Sequence, residues 1–315
     1  MNKAVAYLDI LGFSNAVNNS VFDAIMCLNS FNTILSTCIR DLKVAPMSSY
    51  DPIIQDLANR MSVSSFEEFI PFSDSVFATS TDCNLFVMQL GNFALKSFMF
   101  TSHFYCYTDN LDDPTLTYTI GLKMNENGGQ EIVKEPYHLP PVLFRGGLSW
   151  GEIVNLTPIA LIGGNTKVID TLAGKAVVKA VRYEQSGLKG PRLFFDKSLY
   201  AQLDERTKKY CRAIPEKDKT GLFEILWPAM GYITENAYRQ EFCKFYELSD
   251  AAYNLWIPFK QNGLSDVAEH YLAFMQLIIS GTTQIYKLFW DEKDYAIEEI
   301  RKHLENKNIV NLFSL

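Results

Sequence analysis

The chain has 315 residues, of which 48% are hydrophobic and 13% aromatic, so it can bury a large core. Its formal net charge of -7 argues against a general nucleic-acid-binding protein, whose affinity would depend on a basic face. We find neither a secretory signal nor an uncharged apolar stretch of membrane-spanning length, so we expect a cytoplasmic protein without a membrane partner. The six cysteines are scattered and form no CxxC pair, which is typical of reduced thiols in the cytosol.

Hydrophobic spacing predicts strands and helices that alternate along most of the chain. In chain order these are a strand at 3–9, a helix at 21–42, two strands within 66–79, a helix at 82–105, strands at 142–148 and 151–154, a helix at 168–185, strands at 193–195 and 222–226 around a short helix at 197–202, and helices from 235 onward. This order predicts an α+β fold in which helices cover one face of a mainly antiparallel sheet.

The composition also predicts how the chain is divided. Residues 108–139 are rich in Asp, Asn, Gly and Pro, which indicates a polar insertion. We assign residues 1–230 to one domain that contains this insertion. Residues 231–315 form a helical extension, which we expect to pack on that domain or on a partner subunit.

The first candidate site residue is Asp9, at the end of a buried apolar strand. A carboxylate there is costly unless it is paired or bound to a metal ion. The following residues up to Phe13, with Gly12 in the turn, would present backbone N–H groups to an anion. An acid beside a phosphate cradle is how Mg²⁺ enzymes hold a triphosphate. The plainer interpretation is an aspartate that caps the next helix.

The second candidate is Asp74, in the predicted turn between two strands. A lone aspartate in a hairpin usually serves only the turn. If adjacent strands bring Asp74 close to Asp9, however, the two carboxylates would repel each other without a cation. Two metal ions between them would activate a ribose 3′-hydroxyl and stabilise charge on the α-phosphate.

The third candidate is a cationic stripe on the predicted helix at 168–185. Lys175, Lys179 and Arg182 are spaced i, i+4 and i+7, so they share one face. Such a stripe is most often a solvated surface. It could instead offer its charges to a transition state.

Four segments, in this order, resemble the class III adenylate/guanylate cyclase homology domain. Residues 7–14 (YLDILGFS) are similar to its first metal-binding segment, and 72–75 (FSDS) to the hairpin of its second metal aspartate. Residues 144–154 (FRGGLSWGEIV) look like its arginine-glycine strand. Residues 181–184 (VRYE) resemble the sequence that carries its transition-state arginine. The resemblance covers about residues 3–227 and implies the ferredoxin-like core of that family.

Three positions depart from the purine cyclases of the family. The lysine that helps to select adenine is Ile70 here, and its partner aspartate is Thr171, although Asp170 is adjacent. The transition-state asparagine is Val178. Loss of the polar base readers argues against ATP as the substrate.

This pattern is similar to the bacterial pyrimidine cyclases of the Pycsar anti-phage systems, which share the Asp-Ile-Leu-Gly-Phe start. The resemblance implies two Mn²⁺ or Mg²⁺ ions per site. It also implies three groups of site residues. The metal ions would be bound by Asp9, Ile10 and Asp74. The nucleotide would be contacted by Gly12, Phe13, Ile70 and Thr171, and the transition state by Arg182 and Lys179.

The same resemblance implies a uridylate cyclase, a lyase that converts UTP to 3′,5′-cyclic UMP and pyrophosphate and thereby activates a separate effector. CTP, giving cyclic CMP, is the runner-up. In a homodimer, Asp9 and Asp74 would come from one subunit and Arg182 from the other. Two alternatives stay open: a catalytically silent domain that binds nucleotide, which Val178 favours, and a purine cyclase with a rebuilt pocket.

Overall fold

The computed structural model describes most of the chain, in nine stretches. These are residues 1–38, 64–107, 118–124, 130–136, 141–162, 165–168, 171–214, 221–232 and 242–315.

The strands lie mainly in the first two thirds of the chain. They are β1 (Asn2–Ile10), β2 (Glu68–Phe72), β3 (Ser75–Ser80), β4 (Tyr118–Met124), β5 (Gln130–Pro136), β6 (Phe144–Glu152), β7 (Val154–Leu156), β8 (Ile159–Ile162), β9 (Asn165–Val168), β10 (Thr171–Ala173), β11 (Leu193–Asp196), β12 (Cys211–Ala213) and β13 (Leu222–Ile225).

The helices dominate the C-terminal third. They are α1 (Phe13–Asn19), α2 (Val21–Cys38), α3 (Cys83–Tyr107), α4 (Lys175–Glu184), α5 (Lys197–Tyr200), α6 (Glu205–Lys208), α7 (Phe242–Gln261), α8 (Ser265–Ile285) and α9 (Lys293–Asn306). Within the stretches given above, no helix is both long and apolar enough to cross a membrane.

A seven-stranded sheet organises the fold, in the order β12-β13-β11-β6-β1-β3-β2. Neighbouring strands run antiparallel except β6 and β11, which are parallel. β1 lies inside the sheet between β6 and β3, which explains the apolar run from Ala4 to Leu8. The predicted α+β fold with a mainly antiparallel sheet is confirmed.

The two faces of the sheet are covered differently. Ala4, Ala6 and Leu8 point into the large core that α2 and α3 complete. Val5 points the opposite way and packs with α4 in a much smaller cluster. This alternation is the ordinary consequence of the two-residue period of a strand.

The C-terminal helices pack on the same core as the sheet. Phe274 of α8 stacks on Trp227 with ring centroids 5.2 Å apart, and it meets Phe98 of α3 edge-on at 4.8 Å. All three side chains are fully buried. One continuous cluster of buried side chains therefore joins the helices beyond residue 231 to the sheet, while the division into two domains stays a prediction.

Two element boundaries differ from the sequence prediction. The helix expected at 168–185 begins only at Lys175, because residues 165–168 and 171–173 form β9 and β10. Gly174, which precedes the helix, has a φ of 137° and so a non-helical backbone. The strands expected at 142–148 and 151–154 are one strand, β6, that continues to Glu152. Strands β4 and β5 pair within the predicted insertion, and the rest of 108–139 lies outside the described residues.

Candidate active site

The end of β1 carries the first acid of the site. Cross-strand register sets Asp9 opposite Ser75 of β3 on one side and opposite Arg145 of β6 on the other. The Ser75 hydroxyl donates to Asp9 Oδ1 at 2.9 Å, and the Tyr7 and Ser75 hydroxyls lie 2.9 Å apart. Asp9 is thus positioned by a short hydrogen-bonded chain on the α4 face of the sheet.

The environment of Asp9 disfavours its charge. Burial raises the pKa of Asp9 to about 6, and the carboxylates of Asp74 and Glu184 act in the same direction. The Ser75 hydrogen bond and the Arg145 guanidinium oppose this rise. A bound cation would stabilise the charged form of such a carboxylate, so its position is consistent with a metal site.

Asp74 lies in the turn between β2 and β3. Ser73 has a φ of 57°, which lets the chain reverse within two residues, and the Asp74 carbonyl accepts a hydrogen bond from the Ile10 N–H at 3.1 Å. That bond ties the hairpin to the end of β1. The structure therefore brings both predicted metal aspartates to the same end of strands β1 and β3, where the charge of Asp74 adds to the cost of charging Asp9.

The donor set fits a hard divalent cation. Two carboxylates at the same end of these strands supply the oxygen ligands that Mg²⁺ and Mn²⁺ prefer, and Mg²⁺ commonly takes one or two carboxylates with water and phosphate oxygens. Asp9 and Asp74 are partly buried, so they remain within reach of solvent and ligand. Among the described residues no group of three or more His, Cys, Asp or Glu side chains is assembled for a metal, so phosphate and water would have to complete the coordination.

The loop after β1 borders a cavity of about 200 Å³. Gly12 starts α1 with a φ of 88°, a conformation that favours glycine. One predicted phosphate donor is lost, because the Leu11 N–H already donates to the Leu143 carbonyl at 2.8 Å. Gly12 and Phe13 both line the cavity, and their amides are the ones that this loop can offer to an anion.

Arg145 is a site residue that the sequence prediction named only as part of a motif. It lines the same cavity, and its Nε donates to Glu184 Oε1 of α4 at 2.6 Å. Glu184 is buried, so the pair is partly shielded from solvent and holds α4 against β6. The register of β1 and β6 would have pointed to Arg145, but register cannot be derived from spacing alone.

The cationic stripe of α4 lies on its outer surface. Lys175, Lys179 and Arg182 are all exposed, as is Val178, whereas the opposite side of the helix is buried. Lys179 Nζ lies 3.4 Å from Asp196 Oδ2, and the Tyr183 hydroxyl donates to the same carboxylate oxygen at 2.7 Å. Lys179 thus has a structural partner of its own, while neither it nor Arg182 lines the cavity beside Asp9.

The predicted base-reading positions lie away from that cavity. Ile70 sits on the edge strand β2, opposite Phe77, and is half-buried. Thr171 begins β10, opposite Leu156 of β7. Asp170 lies outside the described residues. Neither Ile70 nor Thr171 is among the described residues that line the cavity of Gly12 and Phe13.

One wall of the cavity was missed by the sequence prediction. It comes from the first turns of α8 and consists of Asp266, Val267, His270 and Tyr271. His270 shows no ligand spacing with the other three histidines, so the sequence gives no signal for it. Only the docking of α8 against the sheet brings it to the site, about 260 residues from Asp9 in the sequence.

No protein-family model matches the sequence, and no curated protein matches it either. Among solved structures, the chain is similar to adenylate cyclases from Trypanosoma brucei in their monomeric state, with 13% identity over 72% of this chain and 90% of that chain at a TM-score of 0.38. It is also similar to the guanylyl cyclase Cya2, with 12% identity over 71% of this chain and 90% of that chain at a TM-score of 0.40. Likeness at this level carries no information on function, which has to be inferred from the site itself.

Proposed function

We propose that this protein is a divalent-metal-dependent nucleotide cyclase that acts on a pyrimidine nucleoside triphosphate as a homodimer. The observation that carries the proposal is the convergence of Asp9 and Asp74 at the same end of β1 and β3, next to the cavity bordered by the Gly12 loop. Phosphoryl transfer depends mainly on positioning and electrostatic stabilisation. Carboxylates that can bind metal ions, beside a cavity that can hold phosphate groups, meet both needs.

The chain's own residues would each have a distinct task. Asp9 and Asp74 would hold the metal ions, with Ser75 orienting Asp9 through its hydrogen bond. Gly12 and Phe13 would contact the polyphosphate through the backbone. Mn²⁺ or Mg²⁺ held there would increase the acidity of the ribose 3′-hydroxyl and offset charge on the α-phosphate. The 3′-hydroxyl would lose its proton to water, and its oxygen would form a bond to the α-phosphorus as the bond from that phosphorus to pyrophosphate breaks, which gives the cyclic ester.

The transition-state arginine is proposed to come from a second copy of the chain. Arg182 and Lys179 are exposed on the outer face of α4, so they are available to a partner's site rather than to the cavity of their own chain. Nearby apolar side chains are also exposed, with Val154 at 52%, Ile159 at 73% and Val178 at 51%. Exposed apolar groups of this kind, interspersed with arginine, are typical of a surface that binds another protein.

UTP is the first proposed substrate, giving cyclic UMP for a separate effector, and CTP is the second. Ile70 is apolar and Thr171 carries no charge, so neither offers the lysine–aspartate pair that reads adenine in the resembling purine cyclases. The assignment to pyrimidines rests on that loss and on the resemblance described above.

A catalytically silent nucleotide-binding domain is the second candidate. Val178 favours it, because an exposed valine stands where the resembling enzymes carry a transition-state asparagine. Such a domain would bind metal and triphosphate at Asp9 and Asp74 without turnover.

The decisive experiment incubates the purified protein with each of the four ribonucleoside triphosphates and Mn²⁺ and identifies the products by mass. Asp74→Ala is expected to lower turnover by at least about a hundredfold, because the metal site loses one of its two carboxylates. Asp294→Ala, which removes an exposed carboxylate in the first turn of α9, is the matched control and should keep full turnover. Triphosphate binding without any cyclic product would favour the silent domain.

A further inference from the structure

The cavity beside Asp9 is also lined by a histidine from the C-terminal helices. His270 of α8 lines it together with Gly12, Phe13 and Arg145. The cavity thus has a core-domain wall that carries the predicted metal and phosphate contacts, and a second wall that comes from α8.

The hydrogen bond of His270 determines which of its nitrogens can act on a ligand. Its Nδ1 accepts from the Gly190 N–H at 3.0 Å, so Nδ1 carries no proton. Burial, together with the charges of Lys189 and Arg145, lowers the pKa of His270 to about 4, which keeps the ring neutral at physiological pH. The proton of the neutral ring therefore sits on Nε2, which is a hydrogen-bond donor.

The position of α8 is firmly set by the loop that holds His270. Gly190 has a φ of 95°, and a Cβ placed there would lie 2.9 Å from the Ala273 Cβ, so this loop touches the helix at its backbone. Lys189 forms an ion pair with Asp266 in the first turn of α8. The imidazole is consequently oriented before any ligand binds, which is the condition for a useful polar contact.

We propose that His270 is a substrate-positioning residue that donates its Nε2–H to the polyphosphate of the nucleotide bound against Asp9 and the Gly12 loop. The inference rests on the proposed function for the class of ligand, a nucleoside triphosphate. A polyphosphate is the part of that ligand nearest the metal carboxylates, and it is rich in acceptors for a neutral donor. The C-terminal helices then belong to the active site rather than only to the core.

Two substitutions separate this role from a purely structural one. His270→Asn keeps an acceptor near the position of Nδ1, and with it the bond from Gly190, but removes the Nε2 donor. His270→Gln keeps a donor near the position of Nε2 and loses the acceptor. If His270 only docks α8, the asparagine variant should behave as the wild type and the glutamine variant should be the damaged one.

The experiment measures binding of inorganic tripolyphosphate and of UMP to the full-length protein in the presence of Mn²⁺, by titration calorimetry, together with thermal stability. His270→Asn is expected to weaken tripolyphosphate binding about tenfold or more, since a hydrogen bond to a charged group is lost. His270→Gln should stay within about threefold of the wild type, and UMP binding should not change in either variant. Asp294→Asn, at an exposed carboxylate in the first turn of α9, is the control that should leave all values unchanged.

Two results would overturn the proposal. One is wild-type affinity for tripolyphosphate in His270→Asn, and the other is the absence of tripolyphosphate binding by the wild type. If neither variant folds, ¹⁵N-histidine NMR of the wild type decides, because a protonated Nε2 signal must shift when tripolyphosphate is added. Since none of these readouts needs turnover, tripolyphosphate binding that depends on His270 without any cyclic product would reject only the cyclase proposal.

Discussion

At the scale of single residues, the candidate site is built at a cost in stability. Asp9 is partly buried, its pKa is raised to about 6, and the carboxylates of Asp74 and Glu184 add to the rise. The Ser75 hydroxyl compensates only in part, because a single hydrogen bond to the carboxylate offsets less than the desolvation of its charge. Functional sites commonly retain such unfavourable groups, since a bound cation makes the charged form of the carboxylate favourable.

We therefore predict that Asp9→Asn stabilises the metal-free protein at pH 7. A carboxyl whose pKa is raised on folding binds protons more tightly in the native state, so native stability falls as pH rises from about 4 to about 6. The gain from the substitution should be on the order of 2 kcal/mol at pH 7 and vanish near pH 4. Urea unfolding of both proteins in EDTA across this range checks it, and equal curves at every pH would show that Asp9 carries no such penalty.

At the scale of elements, the contact between α4 and β6 decides where the site can form. Gly147 has no room for a side chain, because a Cβ there would lie 1.9 Å from the Ala180 carbonyl oxygen of α4. The close approach brings Glu184 to Arg145, and it leaves the cationic side of α4 facing outward. Helix packing thus explains Gly147 in the Arg-Gly-Gly sequence of β6, whereas Gly146 lies against Leu8 and the Tyr7 carbonyl of β1.

Gly147→Ala is expected to destabilise the protein by about 3 kcal/mol or more, because the clash is with the backbone of α4 and cannot be relieved by a side-chain rotation. The matched control is Gly91→Ala in α3, whose added Cβ would meet side chains rather than backbone, with Met230 Cε at 2.9 Å, Met230 Cγ at 3.1 Å and Ile225 Cγ2 at 3.4 Å. That control should change the free energy of unfolding by less than about 1 kcal/mol, since alanine also favours the helix. Chemical denaturation of the two variants measures the difference, and equal losses would contradict the packing explanation.

At the scale of the whole molecule, the two faces of the sheet are unequally covered. Helices α2 and α3 and the C-terminal helices enclose one face, whereas α4 and a small apolar cluster cover the other. Val154, Ile159 and Val178 remain about half-exposed or more on or near that thinner side. A second copy of the chain is the simplest partner for it, because the proposed chemistry needs Arg182 in a site that its own chain does not complete.

Mixing inactive variants tests the shared site. Asp74→Ala and Arg182→Ala are each expected to be inactive, but random pairing of the two would make half of the dimers mixed, each with one intact site. The mixture should recover about a quarter of wild-type turnover. No recovery after verified subunit exchange would mean that Asp74 and Arg182 act within one chain, and sedimentation of the wild type reports the dimer itself.

The local elements were largely predictable from sequence because they depend on short-range patterns. The apolar run of β1, the turn at Ser73 and Asp74 and the long helical repeat of α3 each follow from neighbouring residues alone. The start of the helix at 168–185 was predicted too early, because the short strands β9 and β10 are defined by their pairing with β8 and β7 and leave no periodic signal. A phosphate role for the Leu11 amide was also wrong, since its acceptor, Leu143, is more than a hundred residues away.

The sequence by itself determined the α+β class, the candidate acids Asp9 and Asp74, and the side of α4 that carries Lys175, Lys179 and Arg182. These depend on burial periodicity and on the cost of placing charge at the end of an apolar strand, which are properties of short segments. Only the tertiary structure decided that Arg145 stands opposite Asp9 and that His270 lines the cavity. Both depend on strand register and helix docking, which are set by the packing of the whole core and leave no mark in the spacing of nearby residues.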